Sequence, residues 1–224
     1  VMPAEIVLTS PGQEVTRLAK KVCHDLNLNL TILEASFAEA VEQVGYVLGQ
    51  NPDRIRVIAS GGATLELLRG EFPALNLVSI HPAEYDLVLA LDRAKRLGGD
   101  IGLLLADSEA IGVIENLSSA LRLKVRIYTY HNWQGIEVQV EKAKKDGCLV
   151  LLGVGEKISS LVQMKGLQYI SVSAGEHTLR KTLLRGKDMI EAQIRETLVA
   201  KHISAISVYA HEGIIMVNED KIVT

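Results

Sequence analysis

The sequence predicts an α/β fold of two similar three-layer α/β/α sub-domains, each built on a four-stranded parallel sheet. Short apolar runs with strand character alternate with longer amphipathic segments, which is the pattern of βα units. Eight such units favour parallel pairing through right-handed crossovers. Aromatic residues are only 4% of the 224 residues, so the core depends on aliphatic side chains, which suits buried parallel strands.

The predicted strands form two groups, separated by one long amphipathic segment. The first group is Glu5–Leu8, Leu28–Leu33, Arg56–Ala59 and Asn76–Ile80. The second group is Asp100–Leu105, Lys124–Tyr130, Cys148–Leu152 and Gln168–Val172. Because the segment Glu84–Leu97 lies between the groups, we expect two lobes joined by this helix. One continuous doubly wound sheet is the alternative.

The predicted helices fill the intervals between the strands. They are Glu14–Leu26, Ala38–Leu48, Thr64–Arg69, Glu84–Leu97, Glu109–Leu121, Ile136–Lys145 and Lys157–Lys165. A longer helical region, Glu176–Leu198, is expected to pack back toward the first lobe. We expect Gly186 to divide it into a packed part and a projecting part.

The end of the chain has a different pattern. Ile190, Ile194 and Leu198 form an apolar stripe at helical spacing, which predicts burial against a second copy and hence a homodimer. Docking of the stripe on the chain's own first lobe is the alternative. Beyond Lys201, the spacing of Ile203, Ile206 and Val208 predicts a strand.

These patterns predict the domain organisation. Residues 1–200 form one domain, with lobe one at about residues 1–82 plus 175–200 and lobe two at about 98–174. Residues 201–224 form a linker and the start of another module. A strand pattern restarts at Ile222 as the sequence ends, so we expect the sequence to stop inside that module.

Composition excludes several classes of function. A net charge of −3 and a pI of about 6.1 give no basic surface for direct DNA binding. The two cysteines, Cys23 and Cys148, are predicted to be buried thiols. Neither a secretory leader nor an apolar run of membrane-spanning length is visible, which predicts a cytoplasmic protein. The scattered histidines predict no metal site. An incomplete glycine pattern at Gly153 and Gly155 predicts no nucleotide cofactor.

Three stretches resemble the N-terminal receptor family of the propionate catabolism activator PrpR. They are Val57–Arg69, Tyr85–Lys95, and Leu149–Gly155 with the later Ser171–Glu176. The resemblance covers about residues 5 to 200. The tail, Ala210–Asp220, resembles the opening strand and turn of a PAS domain.

The resemblance implies a two-lobed chelatase-like fold that places an attached transcription activator under ligand control. The implied partner of this domain is a small-molecule effector. In the family, the PAS module is followed by an AAA+ ATPase module and a helix-turn-helix. The resemblance implies DNA and sigma-54 RNA polymerase as partners only through these two modules. The family pattern usually reads Ser-Arg-Gly-Gly-Thr where this chain has Ser60-Gly61-Gly62-Ala63-Thr64. Gly61 therefore removes a bidentate carboxylate partner.

The loop Ser60–Thr64 is the first candidate for binding the effector. It follows a strand and opens a helix, where free N–H groups and the helix dipole favour an anionic or polar group. The alternative is an ordinary turn with Ser60 or Thr64 as the N-cap.

Other candidate binding residues follow predicted strands, at the edge where a cleft between lobes would lie. They are Thr9, Ser10, His81, Gly153, Gly155 and Ser173. Helix capping is the alternative for Thr9 and Ser10. Asp86 is expected to cap or pair at the connecting helix, and Trp133 to face the cleft or cover a lobe's edge.

Two functions remain open at this point. The first is a sensor whose lobes close on a ligand and signal through the C-terminal helix. The second is a small enzyme that acts on a phosphorylated or carboxylated metabolite. No convincing set of nucleophile, base and acid accompanies the Ser60–Thr64 loop, so we predict no catalytic residue and favour the sensor.

Overall fold

Strands and helices alternate from end to end of the part of the chain that the computed structural model describes, residues 5–50, 54–106 and 111–209. The first seven elements are β1 (Glu5–Thr9), α1 (Gln13–Leu26), β2 (Leu30–Leu33), α2 (Phe37–Gln50), β3 (Ile55–Ser60), α3 (Gly62–Glu71) and β4 (Asn76–Ser79). The others are α4 (Glu84–Leu97), β5 (Asp100–Leu105), α5 (Ile111–Ala120), β6 (Val125–Thr129), α6 (Trp133–Lys145), β7 (Cys148–Gly153), α7 (Glu156–Met164), β8 (Gln168–Ser171) and α8 (Glu176–Tyr209).

The strands form two separate four-stranded parallel sheets, which confirms the predicted fold class. The first sheet has the order β2-β1-β3-β4 and the second has the order β6-β5-β7-β8. Every pair within a sheet is parallel. Because the two orders are equivalent, the lobes repeat one βα plan, and the single eight-stranded sheet is not formed.

Aliphatic clusters on the faces of the sheets hold the layers together. In lobe one, Val7 and Ile58 pack with Val44 of α2 and Leu68 of α3. In lobe two, one cluster joins the sheet to α6 and α7, and another joins it to α4 and α5. The central strands are buried on both faces, which explains their continuous apolar runs.

The chain crosses between the lobes twice, before α4 and before α8. Leu87 and Leu91 of α4 pack with Leu103 of β5, so the predicted connecting helix belongs to lobe two. The first part of α8 packs on lobe one, where its Leu179 is fully buried and its Arg180 pairs with Asp25 of α1 at 2.8 Å. The helix that follows the first crossing, α4, thus packs on lobe two, and the helix that follows the second crossing, α8, returns to pack on lobe one.

Two expectations for the C-terminal region are wrong. α8 is one continuous helix, so Gly186 does not interrupt it, although the boundary between the two compact units falls just after it, at Lys187. A Cβ at Gly186 would lie 3.2 Å from Ile6 Cδ1 and 3.4 Å from Val57 Cγ1, so this glycine instead lets α8 lie close to β1 and β3. The predicted strand around Ile203 is also helix, because α8 continues to Tyr209.

Residues 1–187 form one compact unit and residues 188–224 form a second. The PAS-like stretch Ala210–Asp220 lies outside the described residues. Cys23 and Cys148 are buried free thiols. In the described ranges, no helix combines the length and the apolar character needed to cross a membrane.

Candidate ligand-binding cleft

A cavity of about 360 Å³ lies between the lobes, at the carboxyl ends of strands from both sheets. This is the place where open α/β sheets bind ligands. Its walls are mainly aliphatic and include Val15, Leu87, Leu103, Leu105, Ile114 and Val172. Among the described residues, no Asp, Glu, Lys or Arg lines it. The polar lining side chains are hydroxyls and one imidazole, so the cleft is built to hold a molecule with an apolar body.

The amino end of α3 opens onto this cavity. Gly61, Gly62, Ala63 and Thr64 all line it. Gly61 is the N-cap, and no side chain caps the helix. The hydroxyl of Thr64 accepts a hydrogen bond from the Phe37 N–H at 2.9 Å, so its oxygen is used elsewhere. The alternative of Ser60 or Thr64 as N-cap is therefore wrong, and the first-turn amides have no capping side chain.

Thr9 and Ser60 form a buried pair of hydroxyls beside this helix end. Thr9 Oγ1 lies 2.6 Å from Ser60 Oγ, and both residues are buried. Thr9 lines the cavity, whereas Ser60 lies behind it. Neither hydroxyl makes another hydrogen bond within the described residues, so one hydroxyl proton of the pair remains available for a further acceptor.

Ser10 and Gly155 lie where the lobes touch, outside the cavity lining. Ser10 Oγ donates to the Gly12 carbonyl at 2.7 Å and closes the turn into α1. The capping group of α1 comes from the other lobe: Glu156 Oε1 accepts from the Gln13 N–H at 2.8 Å. The Glu156 N–H donates to the Pro11 carbonyl at 3.2 Å. The alternative that Thr9 or Ser10 caps α1 is therefore wrong, because Glu156 of lobe two accepts the hydrogen bond at this helix end.

An aromatic pair forms a second contact between the lobes. The rings of Phe37 and Trp133 meet edge to face with their centroids 5.8 Å apart. Phe37 starts α2 with φ +57°, an uncommon backbone conformation for a non-glycine residue, and it also lines the cavity. The single tryptophan of the chain therefore lies at the meeting point of the two lobes.

Asp86 ties the two crossings together. Its Oδ2 accepts hydrogen bonds from the Ala83 N–H at 2.9 Å, the Gly175 N–H at 3.3 Å and the Thr178 hydroxyl at 3.1 Å. The first donor precedes α4, and the other two belong to the start of α8. The expectation that Asp86 caps the connecting helix is correct, and the same carboxylate also joins this helix to α8.

The remaining candidates are divided between the cavity and the contacts around it. His81 and Gly153 line the cavity. His81 is exposed on its other side, and its Nε2 lies 2.5 Å from Ser79 Oγ. Ser173 Oγ instead donates to Glu14 Oε2 of α1 at 3.3 Å, a third polar contact between the lobes.

Tyr130 lines the cavity from lobe two and was not anticipated from the sequence. It follows β6 and is 6% exposed. Burial raises the pKa of Tyr130 to about 12, so its phenol remains a neutral donor at physiological pH. Its hydroxyl makes no hydrogen bond to any residue of the described ranges. A tyrosine at the end of an apolar strand is indistinguishable from a core residue in sequence.

Comparisons with known proteins agree with this architecture. The sequence profile described as propionate catabolism activator matches residues 24–196. The structure of an NtrC family transcriptional regulator from Clostridium acetobutylicum superposes with a TM-score of 0.71 at 19% identity, covering 86% of this chain and 100% of that one. A conserved domain protein from Vibrio cholerae gives 0.48 at 8% identity, with 85% and 86% covered. No curated protein matches the sequence.

Proposed function

Because the chain belongs to the propionate catabolism activator family of regulatory receptor domains, we propose that it senses a small metabolite for a sigma-54-dependent transcription activator. The observation that carries the proposal is the cavity of about 360 Å³ between two lobes that contact each other through Glu156 and Gln13 and through Phe37 and Trp133. Its volume lies at the lower end of the range for small-molecule sites, which is about 300–1,000 Å³. The ligand would bind at the uncapped end of α3 and be enclosed by lobe two.

The two crossings between the lobes form a hinge. Their arrangement suggests how ligand binding could change the conformation of the rest of the protein. A ligand that prefers the closed lobes shifts the population toward them. Asp86 joins both crossings, and α8 begins at the second of them. A rotation of the lobes would therefore change the direction in which α8 leaves the hinge. In this proposal α8 connects the receptor domain of residues 1–200 to a PAS module and then to ATPase and DNA-binding modules of a cytoplasmic regulator.

Fractionated cell metabolites provide the direct test. A fraction that contains the ligand should raise the melting temperature of the protein and change the fluorescence of Trp133, which lies between the lobes beside Phe37. Bound ligand at 100 times its Kd would stabilise the folded state by about 2.7 kcal/mol. If no fraction changes either signal, the proposed function is wrong.

Gly62→Leu should abolish the ligand-induced rise in melting temperature. Its bulky side chain would project from the amino end of α3, where we expect the ligand to contact backbone amides. Gly62 has φ +56°, so any side chain there costs about 1–2 kcal/mol in stability. Gly62→Ala is the matched control. Its Cβ would lie 3.7 Å from Ala106 Cβ, an ordinary contact, so it carries the same backbone strain without the bulk. Equal ligand shifts in the parent and the leucine variant would place the site elsewhere.

We also propose a homodimer through α8. Ile190 is already buried within the chain, whereas Ile194 and Leu198 are 42% and 50% exposed. α8 has 34 residues, or about 51 Å at 1.5 Å per residue, long enough for a parallel partner helix. Ile194→Glu should convert the dimer to a monomer in light scattering, with Glu196→Gln, at an exposed position of the same helix, as a control. A parent protein that is monomeric at high concentration would contradict the proposal.

A further inference from the structure

The walls of the cavity restrict the charge that a ligand can carry. The described lining has hydroxyls, one histidine and backbone amides, but no lysine or arginine. Burying several carboxylates there without a cation would cost far more than the helix dipole returns, since a helix end favours a single anionic group only weakly. One carboxylate can be satisfied by backbone amides and hydroxyls alone.

Tyr130 supplies an observation that points to a ligand independently of the helix end. The hydroxyl of a tyrosine whose ring is buried usually donates to an acceptor. Tyr130 is 6% exposed, lines the cavity and has no hydroxyl partner among the described residues. An acceptor atom of a bound molecule would give the Tyr130 hydroxyl a hydrogen-bond partner.

Tyr130 lines the same cavity as the amino end of α3, although the two belong to different lobes. Ala63, the second residue of α3, is part of the same packed cluster of buried residues as Tyr130. Either hydroxyl of the Thr9–Ser60 pair can donate, so Ser60 can donate to Thr9 and leave the Thr9 proton for an acceptor in the same cavity. Three kinds of donor therefore line one cavity whose walls are otherwise mainly apolar.

We propose that the ligand is a small monocarboxylate with an apolar body, held by the α3 amides and Thr9 from lobe one and by the Tyr130 hydroxyl from lobe two. This inference rests on the proposed sensor function. The carboxylate has two oxygens, so it can accept from both lobes at once, whereas the apolar body occupies the space between Leu87, Leu103 and Ile114. Binding to donors on both lobes favours the closed form.

Calorimetric titration with a defined panel tests the ligand class. The panel contains benzoate, phenylacetate and hexanoate, the neutral amide of each, and citrate. At least one monocarboxylate should bind, with its amide and citrate at least roughly 10-fold weaker, because charge-assisted hydrogen bonds are the stronger ones. Equal binding of the amide, tighter binding of citrate, or no binding of any monocarboxylate would overturn the proposal.

Tyr130→Phe and Tyr128→Phe form a matched pair of variants. Tyr128 is on the same edge strand, but its hydroxyl donates to Asp146 Oδ2 at 3.0 Å and it does not line the cavity. Tyr130→Phe should weaken the best monocarboxylate roughly 10- to 100-fold and leave the melting temperature of the free protein unchanged. Tyr128→Phe should lower that temperature by about 2–6 °C and keep the affinity. Loss of stability without loss of affinity in Tyr130→Phe would mean a structural role only.

The two levels of the proposal can fail separately. If metabolite fractions stabilise the parent protein and the monocarboxylates do not bind, the sensor remains and the ligand class is wrong. If neither the fractions nor the panel has an effect, the sensor function itself fails. If a monocarboxylate binds equally well to the parent protein and to Tyr130→Phe, the ligand class is correct. Tyr130 would then not contact the ligand, and the proposal as stated would be wrong.

Discussion

Asp86→Ala is expected to lower the free energy of unfolding by about 3 kcal/mol, which corresponds to about 6–12 °C in melting temperature. The carboxylate is the common acceptor for the Ala83 N–H, the Gly175 N–H and the Thr178 hydroxyl. Alanine would leave these donors without their acceptor at both crossings between the lobes. Chemical denaturation followed by circular dichroism would measure the loss.

Asp92→Ala is the control on the same helix. Asp92 forms an exposed ion pair with Arg96 at 2.7 Å, and such pairs contribute about 0–1 kcal/mol. Asp86→Asn retains one acceptor oxygen and should be intermediate. If Asp86→Ala costs no more than Asp92→Ala, the carboxylate does not join the crossings in solution.

Gly61→Ala is expected to cost about 3 kcal/mol, even though alanine tolerates the backbone angles at this position. Gly61 has φ −141°, so conformational freedom is not the reason for the glycine. A Cβ there would lie 2.4 Å from the Ile80 carbonyl oxygen. The Ile80 N–H donates to the Ser60 carbonyl at 2.7 Å, which holds this backbone segment beside β3. Urea unfolding would measure the change.

Gly70→Ala, at the other end of α3, provides the comparison. A Cβ at Gly70 meets nothing within 4 Å, so alanine should stabilise the helix by about 0.5–1 kcal/mol. Opposite signs for the two glycines are therefore expected. A stabilising Gly61→Ala would show that the close approach to Ile80 relaxes.

The order of elements could be predicted because each strand and helix has its own periodicity. The apolar run at Asp100–Leu105 and the amphipathic segment at Glu84–Leu97 have the predicted bounds. Periodicity failed beyond Lys201, where apolar residues at Ile203 and Ile206 are three apart and fit a helix as well as a strand. Gly186 was misread because its role depends on Ile6 and Val57, which are distant in sequence.

The candidate site was predictable only where the backbone defines it. Glycines between a strand and a helix mark the end of α3, and the structure brings Gly61 and Gly62 to the cavity. The edge-to-face contact of Phe37 with Trp133 and the place of Tyr130 in the cavity wall depend on how the two lobes meet. Such contacts cannot be predicted from local sequence. The type and spacing of residues in one lobe do not show which side chain of the other lobe will lie opposite.

The exchange of helices between the lobes has a consequence for how the chain folds as it leaves the ribosome. Lobe two is one continuous stretch from α4 to β8, so all its layers are available together. Lobe one receives the helix with Leu179 and Leu183, both fully buried, only after lobe two has been made. The part of its sheet around Ile6 and Val57, which α8 approaches at Gly186, stays uncovered until then, and covering it needs contacts between residues far apart in sequence, which form slowly. Vectorial synthesis thus favours completion of the second lobe before the first.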